Sequence, residues 1–134
     1  MKLRRRTAVL EMSEQEFEEA VADAIDLLPE AFLTSLPNVV FLVEEEPEPD
    51  MLRPEDYDED GLPAVLGFYD GVALTERGDD AGLLPDRIFI FRGPLMRWCE
   101  TREELVEEIG VTIIHEVGHF YGLNDDALHA LGWE

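Results

Sequence analysis

The pattern H-E-x-x-H at residues 115–119 brings together side chains that can bind a metal ion and move a proton. On a helix, His115 and His119 lie one turn apart on the same side, and two imidazoles so placed can bind one Zn²⁺. Glu116 lies about 100° around the helix from His115, where its carboxylate can take a proton from a metal-bound water. The pattern therefore predicts a hydrolytic metal centre with Glu116 as general base.

A catalytic zinc site needs a third protein ligand, and the residues after the pattern offer candidates. Gly122 can adopt the left-handed conformation, end the helix and turn the chain back. Asp125 can then direct its carboxylate to the metal, which leaves the fourth position for water. Asp126 and His129 are alternative ligands. Asp125 also fits the cap or first turn of a short last helix over about residues 125–131.

Apolar residues at helical spacing predict that the pattern lies on a long helix packed against the core. They are Val106, Ile109, Ile113, Val117 and Phe120. Both histidines lie about 200–240° around the helix from Ile113, so we expect this helix to present them to a cleft. Thr101 and Glu104 form a capping box at its start.

The elements before the long helix are a helix, several strands and a turn. The first helix is predicted over residues 13–28, with a capping box of Ser13 and Glu16. Strands are predicted near 38–46 and 86–93, together with a hairpin of Leu66–Tyr69 and Val72–Thr75 around Asp70-Gly71, and a helical turn over 94–100. The unbroken apolar run of the second strand indicates cover on both faces. This order predicts one α+β domain over residues 1–134, with a small, mostly antiparallel sheet.

The segment 44–61 is rich in proline and carboxylates, which indicates a surface loop. Its alternating Asp56, Asp58 and Asp60 match the start of a calcium-binding loop. Position twelve of that loop needs a glutamate, however, and is occupied here by Gly67. We therefore interpret the segment as a solvated acidic loop.

The composition limits the partners of this chain. Its formal net charge is −22 with only 10 Lys and Arg residues, which disfavours binding to nucleic acid and to anionic membranes. We expect a peptide substrate or protein partner that is not acidic. The one cysteine, Cys99, allows no internal disulfide, which favours the cytoplasm, and we expect it to be a small core residue. No apolar run is long enough to cross a bilayer.

The extended pattern H-E-x-x-H-x-x-G-x-x-D resembles that of the zincin metallopeptidases of the Asp-zincin type. The stretches LTERG, LPDRIFIFRGPLMR and VTIIHEVGHFYGLNDDALHALGW are similar to the small bacterial zincin-like metallopeptidase domains. The resemblance implies a minimal zincin-like fold with a long active-site helix, and hydrolysis of peptide bonds. It also implies one catalytic Zn²⁺ held by His115, His119 and Asp125, with Glu116 as the base.

Two departures from larger peptidases shape the expected activity. The metzincins place a methionine turn after the third ligand, whereas all four methionines here precede the pattern. Only nine residues follow Asp125, so we expect short peptides rather than folded proteins as substrates. The alternative is a metal-binding or interaction module that retains the zincin site with little or no turnover. A third interpretation, an ordinary surface helix, is the least favoured.

Substrate-binding groups are less well defined by the sequence. In zincins an edge strand lies antiparallel to the bound peptide, and residues 87–92 are the candidate, with an interior strand as the alternative. Tyr69 and Tyr121 are candidate donors to the oxyanion, with packing as the alternative role for each.

Overall fold

The structure is a computed structural model that describes residues 10–36, 38–71, 85–120, 122 and 126. Its helices are α1 (Glu14–Asp26), α2 (Glu30–Ser35), α3 (Arg92–Trp98) and α4 (Arg102–Phe120). Its strands are β1 (Val39–Glu44), β2 (Gly67–Asp70) and β3 (Asp86–Phe91). The predicted α+β class is confirmed. The predicted second hairpin strand, Val72–Thr75, lies outside the described residues, as does the predicted last helix apart from Asp126.

The three described strands form a mixed sheet in the order β1-β3-β2. β3 pairs in parallel with β1 and antiparallel with β2. One of these two pairings is therefore parallel, whereas the sequence indicated mostly antiparallel ones. The long connection between β1 and β3, which contains β2, allows β3 to return beside β1 in the same direction.

β3 lies at the centre of this sheet, so the prediction that residues 87–92 form the substrate-binding edge strand is wrong. The alternative, an interior strand, is confirmed among the described strands. Ile88 and Ile90 are fully buried and Phe91 is almost so, which matches the apolar run without alternation. A strand with neighbours on both sides has no backbone groups left to bind a peptide.

The first helix begins where its capping box predicts. Ser13 Oγ accepts a hydrogen bond from the Glu16 amide at 3.0 Å, and Glu16 Oε1 accepts one from the Ser13 amide at 2.8 Å. The buried side of α1 carries Phe17, Ala20, Val21 and Ala24. These side chains pack against α4, so α1 supports the back of the helix that carries the H-E-x-x-H pattern.

The long helix α4 is capped at its start and buried along one side. Thr101 Oγ1 accepts from the Glu104 amide at 3.1 Å, while the Glu104 carboxylate accepts from the Glu100 amide at 2.7 Å, one residue before the cap. The buried stripe contains Leu105, Ile109, Ile113 and Val117. Cys99 is also buried in this core, as predicted. Within the described part of the chain, no helix is long and apolar enough to cross a membrane.

A glycine allows β2 to approach α4 closely. A Cβ atom at Gly67 would lie 2.6 Å from Thr112 Cγ2 and 2.9 Å from the carbonyl oxygen of Phe89. Both separations are shorter than van der Waals contact, so any side chain at this position would push strand and helix apart. Gly67 therefore sets the distance between the sheet and the helix that carries the histidines.

We predict that Gly67→Ala lowers the free energy of unfolding by about 1–3 kcal/mol, because the added methyl group overpacks this contact. Chemical denaturation measures the change. Gly110→Ala is the matched control, since a Cβ there would meet only Leu28 Cδ2 at an ordinary 3.7 Å. Combining Gly67→Ala with Thr112→Ser, which removes the clashing methyl, should restore part of the loss. Equal effects of the two glycine variants would contradict this account.

Candidate metal centre

A cleft of about 490 Å³ lies along α4 and contains three of the predicted site residues, His115, Glu116 and His119. One wall is formed by α4, with Glu108, Val111, Thr112, His115, Glu116 and His119. The other is formed by the acidic loop, the residues just before β2 and the start of β2, with Met51, Arg53, Asp56, Val65, Leu66, Gly67 and Phe68. The side of α4 opposite to its buried stripe therefore opens to a cleft, as the helical spacing predicted.

The two histidine rings lie side by side in this cleft. Their centroids are 6.0 Å apart and their planes differ by 20°. Two imidazoles that bind one tetrahedral zinc at about 2.1 Å from each nitrogen have centroids roughly 5 Å apart, which is close to the spacing of these rings. The Nε2 atom of His115 is buried and has no hydrogen-bond partner among the described residues. A buried nitrogen of this kind fits a metal ligand, because an unsatisfied polar group is otherwise costly to bury.

The predicted third ligand, Asp125, lies outside the described residues, as does the alternative His129. Asp126 is described and is exposed to solvent. Among the residues whose placement is described, no three His, Cys, Asp or Glu side chains are grouped so as to hold a metal. Asp126 therefore does not complete the histidine pair, and the choice of Asp125 stays a prediction.

The end of α4 has the backbone conformation that the sequence predicted. The last helical residue is Phe120, and Gly122 adopts a φ of +79°. The Gly122 amide donates to the carbonyl oxygen of His119 at 3.0 Å, which closes the last turn. A left-handed glycine is a common helix end, and here it stands three residues after the second histidine.

Glu116 is held between the helix and the sheet. Its Oε1 atom accepts a hydrogen bond from the backbone amide of Tyr69 in β2 at 3.2 Å. Burial raises the pKa of the Glu116 carboxyl above its ordinary value, while the Tyr69 amide, His119 and His115 act in the opposite direction with smaller effects. The carboxyl group is thus fixed in place by a strand neighbour while it faces the cleft.

Tyr69 has a packing role, so its candidacy as an oxyanion donor is not supported. Its hydroxyl donates to Asp86 Oδ2 at 2.6 Å, and its ring stacks on Phe120 with centroids 4.0 Å apart. Both Tyr69 and Asp86 are buried. These contacts fix the end of β2 against the end of α4. The other candidate donor, Tyr121, lies outside the described residues.

Two features of the cleft were missed by sequence reasoning, although the sequence carries a signal for each. Arg53 lines the cleft and forms ion pairs with Glu55 and Asp56 at 3.4 and 3.5 Å. It is the one cation in the acidic segment 44–61, and this contrast in charge with its neighbours is the signal in the sequence. Gly67 interrupts a strand of large residues, and such a glycine indicates a close backbone approach.

A comparison with protein families decides the relationship of this chain. Residues 36–133 match the model of a family described as zincin-like metallopeptidase, and the match covers more than half of the chain. The chain belongs to this family. The matched zincin-like region includes all three described strands and the whole of α4, whereas α1 precedes it. Among proteins of curated function, none matches the chain significantly.

The partly buried carboxyl group of Glu116 in this zincin-like site predicts a pH-dependent difference in stability. Because the folded-state pKa of Glu116 is raised, the fold disfavours the ionised carboxylate. As pH rises from about 4 to 8 this carboxyl group ionises, so wild type should lose stability relative to Glu116→Gln. Glutamine keeps an oxygen to accept from the Tyr69 amide. The midpoint of thermal unfolding, measured with a chelator present, reports the difference.

The exposed Glu59→Gln is the matched control for this measurement. The difference in unfolding midpoint between Glu59→Gln and wild type should not change in this way over the same pH range. If the unfolding midpoints of the two variants depend on pH in the same way, burial of Glu116 does not affect the stability of the metal-free fold.

Proposed function

We propose that this zincin-like domain hydrolyses peptide bonds with one Zn²⁺ bound by His115, His119 and Asp125. The observation that carries the proposal is the pair of imidazoles that faces the cleft, with one nitrogen buried and unpartnered among the described residues, beside a fixed carboxyl group. Bound zinc supplies Lewis acidity toward the carbonyl oxygen and lowers the pKa of a water molecule.

Glu116 is the group that moves protons in this proposal. The Tyr69 amide occupies its Oε1 atom, and its Oε2 atom makes no hydrogen bond to another described residue. Oε2 is therefore the oxygen that accepts a proton from the attacking water. The same oxygen then donates that proton to the amine nitrogen that leaves when the peptide bond breaks. The bond from Tyr69 keeps the carboxyl group from rotating out of reach.

Among the described strands β2 lies at an edge of the sheet, and its outer side, rather than residues 87–92, is the site that we propose for binding the peptide backbone. Leu66 directs its carbonyl group toward β3, where it accepts from the Phe91 amide at 3.0 Å. Backbone groups alternate in direction along an extended chain, so those of Val65 and Gly67 point away from β3. Both residues line the cleft, which supports an extended peptide that pairs with this edge next to Glu116. The net charge of −22 favours peptides that are not acidic.

Zinc titration of the metal-free protein tests the proposed ligands. We expect wild type to bind one equivalent, and His115→Ala and His119→Ala each to weaken zinc by more than about 100-fold. Asp125→Ala should weaken it far more than Asp126→Ala or His129→Ala, which are the matched controls. The reverse ranking would assign the third ligand to Asp126 or His129. Less than a tenth of an equivalent bound by wild type would contradict a metal site.

Cleavage of a peptide library, followed by mass spectrometry, tests the proposed base. Glu116→Gln should keep its zinc but lose turnover by at least about 100-fold, because the positioned carboxylate supplies general-base catalysis. Equal cleavage by wild type and Glu116→Gln would show that the activity belongs to a contaminant. No cleavage by a wild-type protein loaded with zinc would favour the interaction module instead.

A further inference from the structure

A second groove lies between α1 and α4, on the flank of α4 that does not carry the histidines. Its volume is about 760 Å³, against about 490 Å³ for the metal cleft, and Val111 lines both. The groove has an apolar floor, in which Ala24, Leu28 and Ile114 are each less than a tenth exposed. Leu27, also in the groove, is 76% exposed. The groove therefore combines an apolar floor with a polar rim, which is the arrangement found at protein interfaces.

The rim of this groove is acidic. It carries Asp23 and Asp26 from the α1 side and Glu103 and Glu107 from α4. The one cation among the groove residues, Arg102, is already paired with Asp23 at 2.7 Å. Three rim carboxylates therefore have no ion-pair partner among the described residues. An occupant with positive charges along its edges would satisfy them.

A glycine in the middle of α4 keeps the floor of the groove open. A Cβ atom at Gly110 would meet only Leu28 Cδ2, at 3.7 Å, so the packing of α4 on α1 does not require a glycine. Glycine is also less favourable than alanine in the interior of a helix. What Gly110 provides is space between Val106 and Ile114, its neighbours one turn away on the same side.

We propose that this groove binds a basic amphipathic helix of another protein. The groove along two packed helices can accept a third helix, whose apolar side chains at i, i+3, i+4 and i+7 fill the floor. Lysine or arginine side chains at the edges of that helix pair with the rim carboxylates, and charge complementarity excludes an acidic helix. α1, which forms one wall, precedes the residues that match the zincin-like family, so the groove is built partly from outside that match.

Binding of model helical peptides tests the proposal. The probe is a fluorescein-labelled amphipathic peptide of leucine and lysine, compared with a leucine–glutamate peptide of the same pattern and with a scrambled leucine–lysine peptide. The first should bind wild type at least about tenfold more tightly than the other two. Both Gly110→Leu, which fills the floor, and the double variant Glu103→Gln/Glu107→Gln should weaken it at least about tenfold.

The matched control is Glu18→Gln/Glu59→Gln, which removes the same charge from exposed positions outside the groove and should leave affinity unchanged. Equal weakening by both double variants would show attraction to the net charge alone and overturn the proposal.

Backbone amide shifts on binding should be confined to α1 and α4, and shifts centred on the acidic loop 44–61 would also overturn the proposal. Because the amide shifts are measured on wild type, they test the proposal even if Gly110→Leu does not fold. If wild type sediments as a dimer that Gly110→Leu dissociates, the occupant is a second copy and the proposal is wrong.

Discussion

The direction of His115 and His119 depends on the burial of the opposite side of α4. The stripe from Leu105 to Val117 is fixed between α1 and the sheet, so the helix cannot rotate about its axis without exposing apolar surface. The histidines, one turn apart, are consequently held facing the cleft. The zincin-like chemistry proposed for this chain depends on that packing. Two proposed ligands on one rigid helix are already positioned, so little entropy is lost in bringing them together when a metal binds.

The contact between β2 and α4 adds the second constraint on the site. Gly67 lets the strand approach Thr112, and that approach brings the Tyr69 amide within hydrogen-bonding distance of Glu116. The Tyr69 side chain is in turn fixed by Asp86 and Phe120. The same strand therefore orients the carboxyl group and lines the cleft with Gly67 and Phe68. A small domain can position a carboxyl group in this way with few elements.

The features that could be predicted from the sequence are those encoded by local chemistry. The caps at Ser13 and Thr101 follow from hydroxyl side chains that accept from the backbone three residues later. The left-handed Gly122 follows from the absence of a Cβ atom. The direction of the histidines follows from helical periodicity, and membership of the zincin-like family from the pattern they form. The assignment of Asp125 as third ligand rests on resemblance and spacing.

The features that could not be predicted depend on pairings between distant segments. Strand order is one of them: the apolar run of β3 indicated burial on both faces but not which strands would be its neighbours, so both an edge strand and an interior strand stayed open for residues 87–92. The place of Arg53 in the cleft depends on how the acidic loop folds back toward α4. The groove beside Gly110 depends on the separation of α1 and α4, which no local pattern encodes.

The most direct test of the central claim is an anomalous difference map, collected at the zinc absorption edge, from a crystal of the zinc-loaded protein. The account predicts a single strong peak in the cleft, within about 2.0–2.2 Å of a nitrogen of His115, a nitrogen of His119 and a carboxylate oxygen of Asp125. A peak elsewhere, or an Asp125 carboxylate directed to bulk solvent beyond the reach of a metal bound to both rings, would contradict it.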